Sequence, residues 1–213
     1  MDATAPTAET GARPRPAPAQ ASPMRSFDPA AVGRLEAKAW ELYYRRRWTR
    51  FLITSVRLVR AAFRMPWPAT LHGAWLVLRA NQAWAPFPDN DPIGARAIMA
   101  RFYRRLSTSE GRPIDAVRAA ELEVDWWRAH REAQHAGGSG RSPELVAALR
   151  DLNAFLYGAS PAAVEPAAAL RAEAMGVSDD WVAAGCDPAD PRLARARGLL
   201  VRSYGSLRAA VSA

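Results

Sequence analysis

Five times along this chain a residue that caps helices stands directly before proline: Asp28-Pro29, Asp91-Pro92, Ser142-Pro143, Ser160-Pro161 and Asp190-Pro191. A capping side chain accepts a hydrogen bond from the free N–H groups of a first helical turn. Proline has no N–H to lose there, and its fixed φ suits the first helical position. Each pair therefore reads as a helix start. Phe27 and Val32 flank the first of them at the spacing of a hydrophobic staple. Glycines supply matching stops at Gly137, Gly138, Gly158, Gly176 and Gly185, where a left-handed residue would end a helix. No segment alternates apolar and polar residues between turn signals as a strand does.

The chain is predicted to be all-α, a single helical bundle of about seven or eight helices. The expected helices are 29–64, 68–84, 92–106, 113–135, 143–157, 161–175, 179–184 and 191–211. Residues 1–26 are Ala, Pro, Thr and Gly with Arg13, Arg15 and Arg25. They have little to bury, and the expectation is a disordered leader. Residues 27–213 then form one domain of roughly 185 residues, large enough for a substantial core. Its alanine-rich half, from about residue 142, follows the glycine-rich link 136–141.

The stretch Glu121–His135 organises the functional reading. At about 100° per residue, Ala116, Ala119, Ala120, Glu123, Trp126, Trp127, His130 and Gln134 share one stripe. Glu121, Asp125, Arg128 and Glu132 lie opposite, spaced as ion-pair neighbours on a solvated face. A carboxylate and an imidazole on an apolar stripe need partners there, because an unpaired buried polar group costs a few kcal/mol. The helix 68–84 is apolar nearly all round and is expected at the centre of the bundle. His72 and Arg79 are among its few polar exceptions. The helix 29–64 changes its apolar face near Arg45–Arg47, which calls for a bend or for two halves packed on different layers.

These helices offer one interior constellation: Glu36, His72, Arg79, Glu123 and His130. It admits three readings. The first is a structural network in which Arg79 pairs a carboxylate and His130 is a satisfied core histidine. The second is a small-molecule pocket lined by Trp40, Tyr43, Trp75 and Trp127, with Glu123 and His130 as acid and base. The third places iron or manganese on Glu36, His72, Glu123 and His130, because hard metals in helical bundles take carboxylates completed by imidazole. Glu132-x-x-His135 imitates a di-metal motif, but Glu132 lies on the solvent face. The leading functional expectation is an interior pocket that binds a small molecule or metal and carries acid–base or oxidative chemistry.

The alternative is a non-catalytic basic module. The net charge is +8, and Lys38 is the only lysine. Arg46, Arg50, Arg57, Arg60 and Arg64 recur along one helix at amphipathic spacing, which suits an acidic partner or an anionic membrane surface. No helix-turn-helix spacing, zinc finger or RNA-binding motif appears, so sequence-specific nucleic-acid readout is not expected. No glycine-rich phosphate loop, G-x-S-x-G or H-E-x-x-H is present. Cys186 is the only cysteine, which fits a reducing cytosol and excludes an intrachain disulfide. No apolar run approaches the length of a membrane span.

Overall fold

In the computed structural model the described residues are 22–136 and 142–212. Helices take in 82% of them, and among them there is no strand. The order is α1 Pro29–Tyr44, α2 Trp48–Phe63, α3 Trp67–Trp84, α4 Pro92–Glu110, α5 Ala116–His135, α6 Pro143–Tyr157, α7 Pro161–Ala183 and α8 Pro191–Ser212. All five capping residues act as the sequence suggests. Asp28 accepts from the amides of Ala30 and Ala31 at 2.9 and 3.2 Å. Asp91 accepts from Gly94 at 2.7 Å, Ser142 from Leu145 and Ser160 from Ala163 at 3.3 Å each, and Asp190 from Arg192 at 2.8 Å. Asp115 adds a sixth cap, so α5 starts at Ala116 and not at the proline before it.

Helix α4 runs one turn beyond the expected residue 106, to Glu110, and three further departures from expectation change the packing. The long first helix is broken into α1 and α2 at Arg45–Arg47, where Arg46 takes a left-handed φ of 56°. The break lets each half turn its own apolar face inward, which one straight rod could not do. The helix expected to end near Met175 runs on through Gly176 to Ala183. An interior glycine costs only about 1 kcal/mol of helix propensity, and continuation carries Trp181 into full burial. The expected leader ends earlier than residue 26. Pro23–Arg25 form a 3-10 turn, Met24 is fully buried, and Ser22 and the Met24 amide both donate to Glu110. The rest of that leader, and the glycines of the link at 137–141, lie outside the described residues.

The centre of the bundle also lies elsewhere than expected. The α7–α8 and α1–α8 interfaces are the most extensive, while α2 and α3 touch each other sparingly and lie to one side. What brings α1 onto α8 is Gly33: a Cβ there would stand 2.7 Å from the Cα and N of Val201. Only a missing side chain permits that approach. Gly33→Ala therefore gains about 1 kcal/mol of helix propensity but forces backbones apart, and overpacking of this kind costs about 1–3 kcal/mol or more. We expect a net loss of stability in urea unfolding. A more stable variant would show that the two backbones separate freely.

Candidate functional site

The interior polar residues are gathered by one guanidinium. Arg171 of α7 donates from Nη2 to Glu36 Oε1 at 2.6 Å, and Tyr204 of α8 donates to the other oxygen, Oε2, at 2.6 Å. Its guanidinium lies 5.0 Å from the centre of the Trp126 ring of α5. Beside it, Tyr103 of α4 donates to Glu123 Oε2 at 2.7 Å. Burial works against charge on Arg171, yet Glu36, Tyr204 and Glu123 outweigh it and hold its pKa above the ordinary arginine value. Burial raises Glu123, although the Tyr103 hydroxyl, Arg171 and the two neighbouring indoles pull the other way. The Trp126 N–H favours charge on Glu123 but misses hydrogen-bond geometry. Tyr103 and Tyr204 are raised well above the usual phenol value, first by burial and then by the carboxylate each one meets.

The residues singled out from the sequence do not meet in one place. His130 Nε2 lies 3.0 Å from Asp179 Oδ2, and Gln134 donates to the same carboxylate at 2.8 Å. Asp179 belongs to α7, so His130 binds a partner that its own helix could not reveal. Burial, and then Asp179, push the Tyr44 hydroxyl up to about 12. His72 is half-buried on α3, and Arg79 is exposed, donating to Gln82 at 2.8 Å. Trp127 is buried against Trp84 and Trp126. Trp40 is half-buried between two smaller apolar clusters, and Tyr43 is more exposed, packed edge-on to Tyr44 and Trp48. Glu36 and Glu123 thus share Arg171, while His72, Arg79 and His130 stand apart from them. Among the described residues no three His, Cys, Asp or Glu side chains converge as a metal would require. Glu132 and His135 are both exposed.

Trp75 overturns the expectation of a central α3. It is 57% exposed, with Trp67 at 56% and Leu71 at 55% on the same face. The face that α3 buries is mostly small: Ala69, Thr70, Gly73, Ala74, Leu76 and Ala80. Gly73 makes the close approach, since a Cβ there would meet the Phe102 ring at 3.2 Å. The helix packs its small side chains inward and presents its large ones to the outside. On α2, Trp48, Leu52 and Ile53 are exposed as well. At the turn between the two helices the Arg60 guanidinium sits 5.1 Å from the Trp67 ring centre.

The basic residues follow the same division. Between Glu41 and Asp89 the sequence holds eight arginines and no carboxylate. The chain as a whole has 29 Lys and Arg against 21 Asp and Glu, so everything outside that stretch carries 21 of each. The end of α1, α2, α3 and their connections therefore carry +8 and the rest of the chain sums to zero, although α8 also holds five arginines and no carboxylate of its own, two of them paired with Asp190 and Glu173. Arg64 donates to the Ser26 carbonyl at 3.2 Å. Arg46, Arg50 and Arg57 have no carboxylate partner among the described residues. An open recess of about 570 Å³ lies at the α1–α2 break, with Lys38, Arg45, Arg46, Arg47 and Arg50 around it.

Sequence reasoning missed Arg171, Tyr204, Tyr103 and Asp179 because each is a partner from a distant helix. One signal for Arg171 was available: it falls at i+3 and i+4 from the buried Ala168 and Ala167, where a solvated arginine would not be placed. The outward α3 face had a signal too, in the contrast between its large and small residues.

Two outcomes test the interior. Arg171→Met leaves the Glu36 carboxylate buried without its cation, and breaking a buried pair in this way costs about 3–5 kcal/mol, measured by urea unfolding. For Glu123 the sign follows from its raised pKa. The folded state holds the proton more tightly than the unfolded state, so that contribution is present at low pH and lost as pH rises above the ordinary carboxylate range. Glu123→Gln keeps an acceptor for Tyr103 and removes the titration. Its stability relative to the parent should rise between pH 4 and pH 8, and a flat or falling difference would place Glu123 in a solvated site.

No protein-family model matches the chain, and no curated protein or solved structure matches it either. Function is therefore argued from these surfaces and charges alone.

Proposed function

We propose that this protein is a helical module that binds the surface of an anionic lipid bilayer through its α2–α3 hairpin. The observation that carries the reading is the inverted packing of α3, which turns Trp67, Leu71 and Trp75 outward while burying mostly small residues. Each large apolar side chain left in water forgoes about 1.5–3 kcal/mol of burial. A contiguous exposed patch of this kind marks a surface that meets something other than water.

Charge selects the partner. Arginine on the polar side of an amphipathic helix and tryptophan on its apolar side suit the headgroup boundary, where an indole is half in hydrocarbon and a guanidinium meets phosphate. Arg50, Arg57 and Arg64 follow one another at two-turn spacing on α2, with Arg46 before them. Arg60 lies closer to the exposed apolar residues and stacks on Trp67. No described helix is long and apolar enough to cross a membrane, so the mode proposed is lying on the bilayer.

The interior reading, acid–base or oxidative chemistry on a small molecule or an iron or manganese ion, has one observation in its favour. Arg171 Nε and Trp126 Nε1 are buried donors without a hydrogen-bond partner in the protein. Against it, Glu36 and Glu123 are engaged by Arg171, Tyr204 and Tyr103. The histidines lie away from them.

Vesicle sedimentation tests the proposal. Binding to phosphatidylserine–phosphatidylcholine vesicles should weaken with added salt and be negligible on phosphatidylcholine alone. Arg57→Gln with Arg60→Gln removes two surface charges worth about 1 kcal/mol each, or about 30-fold in partitioning. Trp67→Ser with Trp75→Ser should weaken binding and reduce the blue shift of tryptophan emission. Binding to nucleic acid that ignores the tryptophan changes, without binding to vesicles at low salt, would make the partner a polyanion and not a bilayer.

A further inference from the structure

We propose that the recess at the α1–α2 break is a binding site for a dianionic phosphate monoester on a small polar body, presented by a lipid headgroup at the bilayer surface. The lipid as its source rests on the membrane reading above; the phosphate chemistry rests on the recess itself.

At the break the backbone turns sharply because the Arg46 amide donates to the Tyr43 carbonyl at 2.9 Å and the Arg47 amide donates to the Leu42 carbonyl at 2.8 Å. Three consecutive arginines are thereby gathered at the mouth of one recess, with Lys38 arriving from α1 and Arg50 from α2. Five cations face one carboxylate, Glu41. That carboxylate is fully occupied, by Lys38 at 2.6 Å on one oxygen and by Arg45 at 3.1 Å on the other. Arg46, Arg47 and Arg50 remain exposed and without an acidic partner among the described residues.

An anion completes such a set. Guanidinium groups bind phosphate oxygens through paired, parallel N–H donors, and several of them favour a doubly charged monoester over a singly charged diester. The first turn of α2 reinforces the preference. Arg47 is its N-cap residue and supplies no capping side-chain bond, and no acidic residue stands in that turn. Thr49, in that first turn, is among the residues that line the recess.

Size and position identify what carries the phosphate. A volume of about 570 Å³ lies within the range of about 300–1,000 Å³ for small-molecule sites, so it has room for a phosphorylated polyol as well as the phosphate. Trp48 lines the recess and is itself more than half exposed, packed edge-on to Tyr43 and Phe51. The site therefore opens beside Trp48, one of the exposed apolar residues of α2. A headgroup standing above the lipid surface would enter it while those aromatic side chains rest at the interface.

The experiment compares the full chain on vesicles containing phosphatidylinositol monophosphate with its binding to phosphatidylserine vesicles matched in surface potential. We expect at least about tenfold tighter binding to the monoester lipid. Arg47→Gln with Arg50→Gln should weaken phosphatidylserine binding by up to about 30-fold, as the loss of two surface charges requires, and should also erase the preference, so that the ratio between the two lipids falls to about one. Both residues are exposed, and circular dichroism checks that the helices persist. Arg57→Gln with Arg60→Gln should weaken both lipids alike and keep the preference. Equal binding to the two vesicle types by the parent protein would overturn the recess as a phosphate site and leave the membrane reading standing. The reverse separation uses glycerol phosphate and inositol phosphate in calorimetry. Stoichiometric binding of these, lost in Arg47→Gln with Arg50→Gln and accompanied by no vesicle binding, would support the recess with a soluble source and overturn the bilayer.

Discussion

One cation set against two carboxylates governs the interior of this bundle. Arg171 cannot satisfy Glu36 and Glu123 equally, and the structure divides them. Glu36 takes the direct contact with Arg171 and a phenol from Tyr204. Glu123 takes a phenol from Tyr103 and lies close enough to Arg171 to feel its charge. The result is a salt bridge beside a carboxyl whose proton is held more tightly than usual. Such a network adds little net stability over an apolar core of equal volume, because desolvating the ions offsets most of their attraction. Its effect is discriminating. A packing that slid α7 along α1 or α8 would strand charge in the interior, at a cost far above that of a small apolar misfit.

That interior organises α1 and α4 to α8 and leaves α2 and α3 outside its reach. The hairpin packs through small residues on α3 and a few buried positions on α2, Thr54 and Val59 among them. The two parts of the molecule therefore obey different rules. In one, most large side chains and several paired charges point inward and the charges sum to zero. In the other, Val59, Met65 and Leu76 are buried, but Trp48, Leu52, Ile53, Trp67, Leu71 and Trp75 are exposed, and the arginines have almost no carboxylates to meet. A stretch that both gives up apolar burial and accumulates like charge is unfavourable by itself in water, and a surface that supplies hydrocarbon and negative charge relieves both costs together.

Local features were legible in the sequence, and relations between distant helices were not. The Asp-Pro and Ser-Pro starts depend on a few adjacent residues, so the element order followed directly from them. The break at Arg45–Arg47 was legible as a change of apolar face, although its sharpness was not. Helix α3 was misplaced because counting apolar residues ignores their volume. Ala, Gly and Thr on one side and Trp and Leu on the other mean that close packing happens on the small side. Glu36 and Glu123 were recognised as needing partners, but Arg171 and Tyr204 lie 135 and 168 positions from Glu36. No spacing rule bridges such distances. Met24 was missed for a related reason: a short apolar residue in a polar leader gives no sign of the buried site that Glu110 and its neighbours prepare for it.

The concentration of charge has a consequence for how the protein would approach its partner. With equal numbers of cations and anions elsewhere, the net charge that draws the molecule to an anionic surface equals that of one stretch of the chain, residues 42–88. Helix α2 has 16 residues, which at 1.5 Å per residue makes it about 24 Å long, whereas electrostatic fields at 0.1 M salt decay over about 10 Å. At contact, the face turned toward the surface dominates the attraction, and α2 and α3 offer arginines with no carboxylate among them. The arginines would thus act before the tryptophans, turning the hairpin toward the bilayer, and the tryptophans would act only once it has arrived. Salt should then weaken capture more than it weakens retention, because screening reaches the arginines while hydrocarbon burial of the indoles is insensitive to it.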